Sequence, residues 1–140
     1  MYTLYPGHIV RQADGAIIPI DEANSDYQAF IDWCETNTPE APSAPTFQER
    51  AAALLRAVDA RLNSAAQAQG YDSIVTAALR AALPESVFHE EGLAFGNWMD
   101  ATYATCYAAM AAVQAGELDE PTEADLIAML PELVLPSEGP

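Results

Sequence analysis

The sequence predicts a mainly α protein: a small N-terminal β-hairpin plus helix module, a Pro-rich linker, then a compact Ala-rich helical bundle of three to four helices. Three observations carry this. After residue 46, apolar residues recur at helical spacing, and Ala, the best helix former, is concentrated between Ala51 and Ala115. The run Thr38-Pro39-Glu40-Ala41-Pro42-Ser43-Ala44-Pro45-Thr46 holds three prolines, which exclude helix and favour an extended spacer. Ahead of it, two β-leaning runs flank the turn signal Asp14-Gly15. The expected organisation is 1–37 as a hairpin/helix interaction module, 38–46 as linker and 47–140 as the helical domain.

Taken in order, His8–Arg11 and Ala16–Ile20 are the hairpin strands, and Pro19 confines the second to a sheet edge because it has no N–H to donate. A helix over Ser25–Glu35 follows, capped by Asn24 or Ser25, with Asp26 in the first turn where the helix dipole favours an anion. Its stripe is Tyr27, Phe30, Ile31 and Cys34, widened by Trp33. One hairpin and one helix are marginal alone, so this module must lean on the rest of the chain or bind something.

Residues 47–69 form the next helix, with Phe47, Ala51, Leu54, Leu55, Val58, Leu62, Ala65 and Ala66 on one face and Gly70 as its stop. A second bundle helix spans about Asp72 to Leu83, capped by Asp72 or Ser73 and ended before Pro84. The longest runs over about Ser86 to Ala115, with Phe88, Phe95, Met99, Thr102, Tyr103, Cys106, Met110 and Val113 as its stripe. Gly92 and Gly96, one turn apart, permit either a close approach or a bend, and a break at Gly92 is expected. Thr122-Glu123-Ala124-Asp125 resembles a capping box opening a short helix to Leu130, and Leu133–Pro136 is an apolar strip expected to lie on the bundle.

The charge is extreme and uneven. The 140 residues carry 21 Asp+Glu against five Arg and no Lys, for a net charge of -16. Residues 1–46 hold seven acids and one Arg, residues 47–82 three acids and four Arg, and residues 83–140 eleven acids and no Arg. Such a chain lacks the clustered positive charge that nucleic acid requires, and an anionic membrane repels it. No apolar run reaches the roughly 18 residues of a membrane span, and the N-terminus lacks the basic and apolar regions of a secretion signal. Two readings of the asymmetry stand together: the Arg-bearing middle docks against the acidic last third, and the acidic surface selects a basic partner.

Little points to catalysis, and the chain is read as a non-enzyme. His89-Glu90-Glu91 lacks the second His that a zinc protease helix needs one turn on, so neither metal nor cofactor is expected. Cys34 and Cys106 lie on apolar stripes without CxxC spacing and read as buried free thiols in a reducing compartment. The pairs Asp21-Glu22, Glu90-Glu91 and Asp119-Glu120 follow from composition, and Glu117–Glu120 lacks the calcium-loop pattern. There is no nucleophile elbow and no phosphate-cradling Gly loop. The aromatics Tyr27, Phe30, Trp33, Trp98, Tyr103 and Tyr107 remain, either as core or as anchors for a partner.

Two stretches carry a resemblance. Gly15-Ala16-Ile17-Ile18-Pro19, Asn24-Ser25-Asp26-Tyr27, Phe30, Trp33 and Asn37-Thr38-Pro39 resemble the N-terminal module of tailed-bacteriophage proteins encoded beside tail-fibre genes, the tail-fibre assembly proteins and small tail proteins. Trp98-Met99-Asp100, Tyr107, Val113–Gly116, Pro121-Thr122, Leu126-Ile127 and Leu130-Pro131 look like the helical half of small prophage tail proteins. The resemblance implies a tail protein that binds a tail-fibre, receptor-binding or baseplate protein, a trimeric fibre among them, in the virion tail or in the host cytoplasm during assembly. The better-known assembly chaperones carry a C-terminal Trp followed by a Tyr-Arg pair, whereas here no Arg follows Arg80. That departure favours a virion component over a chaperone absent from the mature particle. A further alternative, motivated by the acidic last third, is a nucleic-acid mimic that blocks a DNA-binding enzyme. Its binding would fall steeply with salt, as aromatic anchoring would not.

Overall fold

The computed structural model describes residues 1–137. The chain divides into two compact units, the first Met1–Pro45 and the second beginning at Thr46, each with its own hydrophobic core.

The first unit is a three-stranded antiparallel sheet and one helix. Strands β1 (Tyr2–Tyr5), β2 (His8–Arg11) and β3 (Ala16–Pro19) follow one another in sheet order, with Leu4, Ile9 and Ile18 aligned across the sheet. β1 was not expected. It is joined to β2 by Pro6-Gly7, where Gly7 has a φ of 87°, a conformation that a side chain disfavours. The β2–β3 connection is longer than the two-residue turn its Asp-Gly signal suggests. Gly15 N–H donates to the Arg11 carbonyl at 2.9 Å, leaving a four-residue loop, Gln12 to Gly15. Asp14 organises that loop: it accepts from Ala16 N–H at 3.2 Å and from both ends of the Arg11 guanidinium fork. Pro19 lies on an edge strand, as its missing N–H requires.

Helix α1 (Ser25–Cys34) is capped by Asn24, whose side-chain oxygen accepts from the N–H groups of Asp26 and Tyr27. It packs Phe30 against Tyr2, Ile9 and Ile18, with Tyr27, Trp33 and Cys34 around them. Arg11 also reaches Asp26 at 2.8 Å, tying β2 to the start of α1. The expected linker is shorter than 38–46. Glu40 exchanges backbone hydrogen bonds with β1, its N–H to Tyr2 O and its O from Leu4 N–H, both at 2.9 Å. At the other end Thr46 is already a helix cap. Segment 41–45 alone lies between the two.

The second unit holds α2 (Phe47–Ala68), α3 (Ile74–Ala78) continuing into a 3-10 turn (Leu79–Ala82), α4 (His89–Gln114) and α5 (Glu123–Met129). Reciprocal capping boxes start α2, Thr46 with Glu49, and α5, Thr122 with Asp125. The core joins Val58, Leu62 and Ala66 of α2 to Ile74, Ala77, Phe95, Trp98, Cys106, Ala109, Leu126 and Leu130, and the tail residues Leu133 and Leu135 pack on it. Each large aliphatic or aromatic side chain so buried contributes roughly 1.5–3 kcal/mol.

The break expected at Gly92 does not occur: α4 is continuous through it. The glycine serves the other purpose, a close approach. A Cβ there would lie 2.4 Å from Ala81 N and 2.7 Å from the Arg80 carbonyl carbon, so the 3-10 turn rests directly on α4. The second bundle helix is correspondingly tighter than an α-helix over its last turn.

Candidate functional site

The six aromatics singled out from the sequence fall into two sets, one in each unit. In the first, Phe30 is core, Trp33 and Tyr27 are half-buried beside it, and Tyr2 meets the rings of Phe30 and Trp33 edge-on at 5.3 and 5.1 Å. In the second, Trp98 is 6% exposed. Its indole N–H donates to the Pro131 carbonyl at 2.8 Å, and the Arg61 guanidinium lies 5.5 Å from its ring centroid. Tyr103 donates to Asp59 Oδ1 at 2.5 Å, bridging α4 and α2. That bond, more than burial, pushes the Tyr103 phenol up to about 12. Tyr107 is 58% exposed. Of the six, then, Phe30 and Trp98 are nearly closed off in the folded chain, and Tyr107 alone presents most of its surface to solvent.

The remaining titratable candidates are dispersed. His8 stacks on Tyr5 at 4.9 Å across β1 and β2. His89 opens α4, with Nδ1 buried and without a hydrogen-bond partner among the described residues. Cys34 and Cys106 are free thiols, and burial pushes the Cys106 thiol up, away from the reactive thiolate. Among the described residues no three His, Cys, Asp or Glu converge as a metal set, and no helix is long and apolar enough to cross a membrane.

What sequence reasoning missed is a shallow cleft in the second unit, which encloses room for little more than a water molecule and is otherwise open to solvent. Two helical stripes face each other across it. One is Phe47, Ala51, Leu54 and Leu55 of α2, and the other is Cys106, Ala109, Met110 and Val113 of α4. Glu120, Pro121 and Leu126 close one end. Cys106 and Ala109 are buried at its floor, while Phe47, Ala51, Leu54, Leu55, Met110 and Val113 are only half-buried. These positions continue the core stripes of their helices, so their sequence signal is that of core. At the mouth Arg50 holds Glu120 through two bonds, 2.6 and 3.0 Å, which keeps that carboxyl below the usual carboxylate range.

A second apolar surface is open to solvent along α3 and the segment after it. Val75 and Leu79, one turn apart, are 66% and 64% exposed, and Val87 is 90% exposed. In the first unit Ile17 of β3 is 71% exposed on the sheet face opposite Phe30. These surfaces can bury apolar side chains of another protein; no reactive constellation accompanies them. Compared with models of known protein families, with curated proteins and with solved structures, the chain matches none.

Proposed function

We propose that the chain is a non-enzymatic bacteriophage tail protein that binds a tail-fibre, receptor-binding or baseplate protein, as a virion component or an assembly factor. The observation that carries the reading is the pairing of two separately cored units, each leaving apolar surface uncovered, through a short Pro-rich segment. Two contacts joined by a short spacer reinforce each other through effective concentration.

The N-terminal resemblance gains a physical meaning from the fold. Its residues are those that build the first unit: Gly15 closes the β2–β3 loop, Ile18 and Phe30 form the core, Asn24 caps α1, and Asn37 donates to the Trp33 carbonyl at 2.9 Å. The motif therefore describes a scaffold. Within the motif Ile17 is the exception, 71% exposed, and binding in such a module falls to it and to exposed neighbours outside the motif such as Ile20.

Mass spectrometry of purified virions tests the proposal. A fixed ratio of this chain to the fibre or baseplate protein is expected of a virion component. Absence from virions, with co-purification of fibre from infected cytosol, makes it an assembly chaperone. Absence from both sinks the tail reading.

A further inference from the structure

The geometry points to the α2–α4 cleft as a receptor for an amphipathic helix of a partner protein, one that lays its apolar stripe along the α2 and α4 walls and carries Lys or Arg beside that stripe. This deepens the binding reading above and rests on it only in taking the protein to be a binder.

The shape argues for a helix. The α2 wall steps by four, seven and eight residues from Phe47, and the α4 wall by three, four and seven from Cys106. Two such stripes side by side leave a groove into which a third helix lays its own stripe, knob into hole. The burial pattern argues that something belongs there. Phe47, Ala51, Met110 and Val113 sit at core spacing, yet they line the cleft instead of joining the buried cluster. The cleft is too shallow to swallow a large side chain whole, so a partner helix gains from contact along both walls and not from one buried anchor.

The charge decides the occupant. Glu120 lines the cleft, Glu117 and Asp119 precede it in the chain, and Glu123 and Asp125 follow in the first turn of α5. Against them on α2 stands Arg50, which pairs with Glu120. No Arg or Lys occurs anywhere after Arg80. A second copy of this chain, at net -16, would bring acid against acid. A basic flank complements the rim, and the apolar stripe fills the groove.

The test uses the full chain, with backbone amide chemical shifts followed during titration by three synthetic peptides. The first carries Leu at i, i+3, i+4 and i+7 with Lys elsewhere, the second has the same composition scrambled, and the third replaces Lys by Glu. The striped basic peptide is expected to shift amides of 47–55 and 106–113, and to bind about tenfold or more tightly than either control. Ala51→Trp, which fills the groove, and Met110→Lys, which reverses its charge preference, should each remove that advantage. Each is read only with the unfolding midpoint retained, and the two cover each other should one fail to fold. Equal binding of the scrambled peptide, shifts spread over acidic residues without the α2 and α4 walls, or shifts centred on 75–88 would each overturn the assignment. None of these outcomes bears on whether the chain is found in virions, so the two readings fail separately.

Discussion

Gly92 and Ala81 lie so close that a single methyl group does not fit between them: a Cβ on Gly92 would stand 2.4 Å from the Ala81 nitrogen. One turn later, a Cβ on Gly96 would meet only the Ala78 methyl, at 3.8 Å. The same substitution at the two positions should therefore have opposite signs. Gly96→Ala is expected to stabilise by about 0.5–1 kcal/mol, the helix propensity gain. Gly92→Ala must displace backbone and should cost about 1–3 kcal/mol. Urea unfolding of the two variants checks this, and a stabilising Gly92→Ala would mean that the 3-10 turn does not rest on α4.

The Tyr103–Asp59 bond predicts alkaline sensitivity. The phenol is raised from 10.0 to about 12, first by donating to Asp59 and then by burial. A group raised in the folded state lends stability in full below its unfolded value and loses it as pH climbs through the folded one. Stability should therefore fall between pH 10 and about 12 beyond what Tyr103→Phe shows. The phenolate absorbance of the folded protein should gain an earlier-titrating tyrosine in Asp59→Asn.

At the acid end the sign reverses. Arg50 lowers the Glu120 carboxyl, and the Thr46 backbone N–H lowers Glu49. Groups lowered on folding contribute above their unfolded pKa, and the contribution is lost as pH falls through the folded value. Side-chain NMR titration should place both carboxyls below the ordinary glutamate value. Arg50→Ala should return Glu120 alone to the ordinary range, whereas Thr46→Ala, which keeps the backbone N–H, should raise Glu49 only part of the way and cost about 1 kcal/mol through the lost cap.

Trp98 and Tyr107 separate packing from recognition. Trp98 is 6% exposed and satisfied by the Pro131 carbonyl, so Trp98→Ala should cost about 3–5 kcal/mol. Tyr107, 58% exposed, should change stability by less than about 0.5 kcal/mol on truncation to Ala. If the aromatics of α4 reach a partner, Tyr107→Ala lowers fibre capture without a shift in melting temperature. Unchanged capture would leave Tyr107 out of the contact.

Much of this architecture was legible because helices announce themselves by spacing and caps. Thr46, Asn24 and Ser73 each cap where the sequence places a boundary, and the stripe of α2 is buried at Val58, Leu62 and Ala66. β1 was missed because four residues of strand at a chain end show too little alternation, although Pro6-Gly7 was a turn signal before β2. Glu40 was missed because its pairing with β1 depends on a partner 37 positions earlier, which local composition does not encode. The glycine pair of α4 left two outcomes open, since the decisive neighbour, Ala81, belongs to another element. The cleft was invisible for a related reason. Leu55 and Met110 obey the same periodicity as buried Leu62 and Cys106, and periodicity records which face is apolar, not whether a neighbour covers it.

The bonds that bring the ends of the second unit together have a consequence for how the chain is made. Arg50 meets Glu120 and Arg61 meets the Pro131 carbonyl, each across 70 positions of sequence. The strands and helix of the first unit pair with near neighbours, the farthest link being that of Glu40 to β1. On a ribosome the first unit has all its partners once Glu40 has emerged, whereas α2 has only Ile74 and Ala77 of α3 to pack on until α4 and the Leu130 segment arrive. During that interval a long apolar stripe waits in the nascent chain beside a finished N-terminal unit.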